Sequence, residues 1–279
     1  SIRHNAIAIG NGHVYLIDRP QAMADRLKEQ EARRGKTVDA PPPGRLVALQ
    51  ASDGAITWET EEDIYGTMLI LSTANDALMM SYQKGLFQLK SEKGGRMTVF
   101  QASTGARRWD KAIEYHSRPV VTGRTIYAQT KFQGDTDKSC AWDLIDGEDK
   151  DFRFARYRRC CGTVTGSPNL LMFRSAQQDT RVNALAYVDL HNPHGTEKFA
   201  GVRPGCWLNA IAAGGMVLMP DASTAKMDPF FQQDTMAVFC DILEPDDGSS
   251  YNRDPRGTAK KAANYMRDAN VGDEVYFGP

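Results

Sequence analysis

Short apolar runs broken by glycine-containing turns dominate the chain, with the two-residue alternation of half-buried β-strands. Ala6–Ile17, Val120–Gln129, Thr163–Phe173 and Asn209–Met219 each carry one apolar run, a glycine turn and a second apolar run, so each predicts a β-hairpin. Arg19–Lys36 departs from this pattern. It is rich in Ala, Leu, Glu, Arg and Lys, and predicts an exposed helix inserted between strands. Asp39–Gly44, with three consecutive prolines, returns the chain to the sheet.

A longer unit repeats over these hairpins. Gly44–Trp58 recurs 51 residues later as Gly95–Trp109, with eight of fifteen positions identical. Each copy predicts an apolar strand, a tight turn closed by Gly54 or Gly105, and a second strand that delivers Trp58 or Trp109. A glycine suits such a turn because it reaches positive φ without strain. Ala141–Gly147, running on to Phe152, reads as a third and degenerate copy in which an aromatic replaces the tryptophan that packs between sheets. A period near 50 residues fits one four-stranded propeller blade. The expected architecture is therefore mainly β: a partial or small β-propeller of about four blades over residues 1–221, with the helical insertion at 19–36. A short α/β segment over 222–279 follows it.

Composition narrows the functional classes. The 279 residues hold 34 Lys and Arg against 35 Asp and Glu, a net charge of −1, which supplies no field to attract nucleic acid or an anionic membrane surface. The longest apolar stretches, Asn209–Pro220 and Met236–Leu243, fall short of the roughly 20 residues of a membrane-spanning helix. No signal peptide is evident, and the first methionine is Met23, so a processed or excerpted chain is expected. Five cysteines (140, 160, 161, 206 and 240) show no metal-ligand spacing, and His191 and His194 sit in a polar turn. The pairs of methionines at Met79-Met80 and in Met216–Met219 read as core strand.

The strand, Ala-x-(Ser/Thr)-Gly turn and Trp pattern resembles the pyrroloquinoline-quinone-like β-propeller repeat. Trp142–Glu148, Cys161–Ser175 and Gly201–Ile211 look like a secreted bacterial branch of it. The resemblance implies a propeller in the periplasm or outside the cell. It also raises a quinone site: in quinoprotein dehydrogenases a disulfide between adjacent cysteines, here Cys160 and Cys161, stacks on the cofactor, with calcium beside it. No Glu, Asn, Asp set is recognisable here as calcium ligands and base. The alternative is structural, because Cys161 and Cys206 stand at positions that are cysteine in the resembling branch, which implies disulfides with their pairing left open.

From Met216 onward a second resemblance takes over. Met219–Phe230, Phe239–Pro245, Tyr251–Arg256 with Ala259-Lys260, and Tyr276–Pro279 are similar to a bacterial type I glutamine synthetase, in order and spacing. Leu218–Ser223 fits both families and reads as the seam of a chimera. This stretch predicts a strand at Thr235–Leu243, a turn to Ser250, a helix capped by Asp254 with Pro255 at its first position, and a strand at Glu274–Phe277. Lys260 and Lys261 fall on the helix surface as solvated charges. The family's metal-holding glutamates begin just after Tyr-Phe-Gly-Pro, and Asp247–Ser250 spells a family loop in the wrong place, so it reads as a turn.

The expected function is a noncatalytic propeller scaffold or binding module of quinoprotein-like ancestry with an inactive synthetase-like tail, no bound cofactor and no metal. The alternatives are a redox protein that uses pyrroloquinoline quinone with calcium at Cys160 and Cys161, and a glutamine synthetase fragment. The partner is an unknown protein or small molecule, and open blade edges predict self-association.

Overall fold

The computed structural model describes residues 2–19, 44–82, 95–130, 137–156, 164–176, 183–192, 195–199, 210–213, 216–219 and 236–239. The segment 20–43 that holds most of the expected helix, the expected C-terminal helix, and Cys160, Cys161, Cys206 and Cys240 lie outside the described residues. All regular elements among the described residues are strands, and these form several antiparallel sheets of the kind that make a partial β-propeller. No described helix is long and apolar enough to cross a membrane.

Five sheets are present, and consecutive strands are neighbours in each. The first contains β1 (Ile2–Gly10), β2 (His13–Asp18), β3 (Gly44–Gln50) and β4 (Ile56–Ile64). The second contains β5 (Met68–Ser72), β6 (Ala77–Ser81), β7 (Met97–Gln101) and β8 (Arg107–Lys111). The third has three strands, β9 (Val120–Thr122), β10 (Thr125–Tyr127) and β11 (Ala141–Asp143), with a single bridge between Trp142 and Asp149 where a fourth strand would run. The fourth contains β12 (Thr165–Gly166), β13 (Leu170–Ala176), β14 (Asn183–Asp189) and β15 (Glu197–Phe199). The fifth contains β16 (Ile211–Ala213), β17 (Met216–Met219) and β18 (Met236–Phe239).

The fifth sheet adds to the sequence reading. The expected hairpin at Asn209–Met219 gains a third strand from beyond residue 221, because β18 pairs antiparallel with β17 from Met216↔Phe239 to Met219↔Met236. β18 falls within the expected strand Thr235–Leu243.

By compactness the chain divides into two units: Ser1–Ile126 with Ala141–Lys150, and Tyr127–Cys140 with Asp151–Pro279. In the first, the core lies between the first two sheets. Tyr15, Ile17, Leu46, Ala48 and Ile64 of the first are buried against Leu69, Leu78, Met80, Phe100 and Ala102 of the second, with Trp58 and Leu71 packed on them. The alternation of β2, with Tyr15 and Ile17 inward, aims one face of the sheet at this core. β6 is buried along its whole length, Met79 and Met80 included, since its two faces are both covered. Each such side chain contributes roughly 1.5–3 kcal/mol. In the second unit Phe154 sits between the rings of Phe152 and Phe173, with centroids 6.4 and 5.4 Å away.

Candidate functional site

The repeated turns are the most highly organised feature of the first unit. In the first copy, Gly54 N–H donates to Gln50 O at 2.9 Å, Gln50 N–H donates to Ala55 O at 2.8 Å, and Ala51 N–H donates to Gly12 O at 2.8 Å. The second copy repeats the scheme at Gln101, Ala102, Gly105 and Ala106, with Asp76 O as the last acceptor. The degenerate third copy repeats it at Asp143, Leu144, Gly147 and Glu148, with Arg124 O as the last acceptor. The three glycines have φ of +75°, +75° and +70°.

Each tryptophan is seated on the turn of the following sheet. Trp58 Nε1 donates to Ala102 O at 2.9 Å, and a Cβ placed on Gly105 would lie 2.6 Å from its ring. Trp109 Nε1 donates to Leu144 O at 3.0 Å, and a Cβ on Gly147 would lie 2.9 Å from its ring. A bulge aims both indoles. Thr57 and Arg108 are extra residues in the pairings Ala48↔Trp58, Leu49↔Ile56 and Val99↔Trp109, Phe100↔Arg107. Gly54 differs from its two counterparts, because nothing lies within 4 Å of a Cβ there.

Charged groups reinforce the same seams. Arg96 stacks on Tyr65 at 4.7 Å, bonds both oxygens of Asp110 and reaches Asp63 at 2.5 Å. The hydrogen bonds to Asp110 and Asp63 raise its affinity for its proton, and Tyr65, which bonds Thr98 Oγ1 at 3.1 Å, is pushed up by burial. Burial works upward on the Asp110 carboxyl, but the hydrogen bond and charge of Arg96 leave it below the usual carboxylate range. Asp143 is held more firmly. Burial works upward on it too, yet Arg124 Nε, the Ile145 N–H and Lys150 Nζ outweigh that and bring it down to about 2. This ladder was readable in the repeat. Arg45 meets Glu59 and Arg96 meets Asp110, each fourteen residues on, at matching positions of the two copies.

Cys140 is buried with a free thiol, 3.3 Å from Thr130 Oγ1. His191 Nε2 lies 2.8 Å from Asn169 Oδ1, and the turn around it is tied by Asp189 Oδ1, which accepts from the N–H groups of His191 and Asn192. Among the described residues no cluster of three His, Cys, Asp or Glu side chains is placed to hold a metal ion. The cysteines of the expected quinone site, Cys160 and Cys161, and Cys206 lie outside the described residues.

The repeat geometry agrees with a comparison against protein families. Residues 18–150 match the family model for the outer membrane protein assembly factor BamB. The N-terminal part of the chain is thus a BamB-like β-propeller repeat domain. Among solved structures, BamB from Moraxella catarrhalis aligns with a TM-score of 0.44 at 15% identity, over 84% of this chain and 57% of that one. A different likeness covers a smaller part. Glutamine synthetase of Rhizobium meliloti (strain 1021) is 58% identical over 81 residues, 29% of this chain and 17% of that enzyme. The Escherichia coli (strain K12) glutamine synthetase is 51% identical over 81 residues, again 29% and 17%. The chain therefore spans less than a fifth of the curated relatives it matches, as a fragment of that enzyme does.

Proposed function

We propose that the protein is a noncatalytic β-propeller scaffold that binds partner proteins in the periplasm, and that the glutamine-synthetase-like stretch over 222–279 is an inactive tail. One observation carries this reading. The groups in the repeat that have chemistry to offer are spent on holding sheets together: the indole N–H of Trp58 and of Trp109 on backbone carbonyls, and Asp110 and Asp143 on Arg96 and on Arg124 with Lys150. A carboxylate held ionised by two cations is a poor general base, because its proton affinity lies far below neutral pH. The description of the matched family, an assembly factor, supports scaffolding over redox chemistry. The synthetase-like stretch corresponds to 17% of that enzyme, too small a share to carry an active site built from many parts of a chain.

The test combines turnover with binding. The full chain is incubated with calcium and pyrroloquinoline quinone and assayed for dye-linked alcohol oxidation, then with Mn²⁺ for γ-glutamyl transfer. Neither signal is expected above background, and either would overturn the reading. Cross-linking in a periplasmic extract is expected to trap a defined protein partner in stoichiometric yield, and a chain that traps none lacks the proposed role.

A further inference from the structure

Register equates the faces of the first two sheets. In the second sheet, Leu69 pairs with Met80 and Leu71 with Leu78, and these continue to Thr98 and Phe100. In the first, Ile7 pairs with Leu16 and Ile9 with Val14, and these continue to Val47 and Leu49. The two sets occupy matching positions, Thr98 and Phe100 standing in the repeat where Val47 and Leu49 stand. In the second sheet this face receives the first sheet and the indole of Trp58. In the first sheet the matching face is left open: Ile7 is 40%, Ile9 72% and Ile56 54% exposed. Its turn is open too. Ala102 and Leu144, which accept the two indoles, are buried, whereas Ala51 at the same position is exposed and the space above Gly54 is empty.

The opposite face of a blade is also exposed on this chain. In the first sheet the β1–β2 hairpin closes at Gly10↔His13, and Tyr15, two residues on, points into the core. In the fifth sheet the hairpin closes at Ala213↔Met216, which puts Leu218 at the position of Tyr15, and Leu218 is 40% exposed. Val217 at the position of Val14 is buried.

We propose that the open face of the first sheet, formed by Ile7, Ile9, Val14, Leu16, Leu49 and the empty Gly54 turn, docks the Leu218 face of the fifth sheet of a second copy of this chain. The occupant follows from the repeat. The face of the first sheet is the kind that receives a preceding blade, and the one exposed face of the complementary kind among the described residues is on the chain itself. The contact is heterologous, joining two different patches, so it propagates head to tail or closes into a ring. It is independent of the scaffold reading, since it involves no foreign partner.

Sedimentation velocity of the full chain over a wide concentration range tests this, with Ile9→Lys and Leu218→Lys as variants. Both positions are exposed, and near-ultraviolet circular dichroism confirms that each variant keeps the native fold. The wild type is expected to self-associate, and each variant to do so about tenfold more weakly or not at all. Mixing the two variants is expected to restore one contact, because Ile9→Lys retains Leu218 and Leu218→Lys retains Ile9, and the product stops at a dimer. A wild type that stays monomeric overturns the proposal, leaving the face to a different protein. Association that survives Ile9→Lys, or a mixture that fails to pair, overturns it as well.

Discussion

The indole of Trp58 occupies the space a side chain at Gly105 would need, with Cε3 2.6 Å from the Cβ position. Gly105→Ala therefore suffers twice, from φ of +75° and from a ring that is itself anchored to Ala102 O. Gly54→Ala has the same φ and open space, so it carries only the backbone penalty of about 1–2 kcal/mol. Urea denaturation is expected to rank Gly105→Ala well below Gly54→Ala, and equal midpoints would show that the indole does not press on the turn.

Removing an indole donor tests the same seam from the other side. Trp109 is 8% exposed and its acceptor belongs to buried Leu144, so Trp109→Phe strands a buried carbonyl at a cost of about 1–3 kcal/mol. Trp58 is only half-buried, and Trp58→Phe is expected to cost less. The comparison is read from denaturation midpoints at constant m-value.

Asp143 makes stability depend on acid. Its carboxyl is brought from 3.8 to about 2 on folding, so its contribution is fully present above pH 3.8 and is lost as pH falls through about 2. In urea titrations the wild type is expected to lose stability over that window. Asp143→Asn should lower stability near neutral pH and flatten the acid limb. An unchanged limb would place the acid sensitivity elsewhere.

Tyr115 fastens one strand end to another. Its hydroxyl accepts from the Tyr82 N–H at 2.8 Å and donates to Arg96 O at 3.0 Å, and burial keeps it protonated. Tyr115→Phe is expected to cost about 1–3 kcal/mol and to accelerate hydrogen exchange at the Tyr82 amide before global unfolding.

The β architecture was legible because the repeat keeps its turn residues. Gly54 and Gly105, Trp58 and Trp109, and the flanking Gln-Ala-Ser identify equivalent strands without any coordinates. The third copy shares little beyond Gly147, yet its backbone hydrogen bonds follow the same scheme, because they involve main-chain groups that tolerate Asp143 and Leu144 in place of Gln and Ala. Alternation announces that a strand will pair without naming its partner, and so the addition of β18 to β17 was not readable. Nor was the identity of the seat beneath each tryptophan, which belongs to a turn dozens of residues away. The Arg96 ladder was missed despite its signal, since a charge on a strand reads first as solvated surface.

The direction of the tryptophan contacts has a consequence during synthesis. Trp58 is satisfied by a carbonyl 44 residues downstream and Trp109 by one 35 residues downstream. As the polypeptide leaves the ribosome, each newly completed sheet carries an indole whose seat has not yet been translated. Closure of every layer thus lags translation by most of a repeat, and a nascent chain always displays one unseated tryptophan to whatever attends its exit.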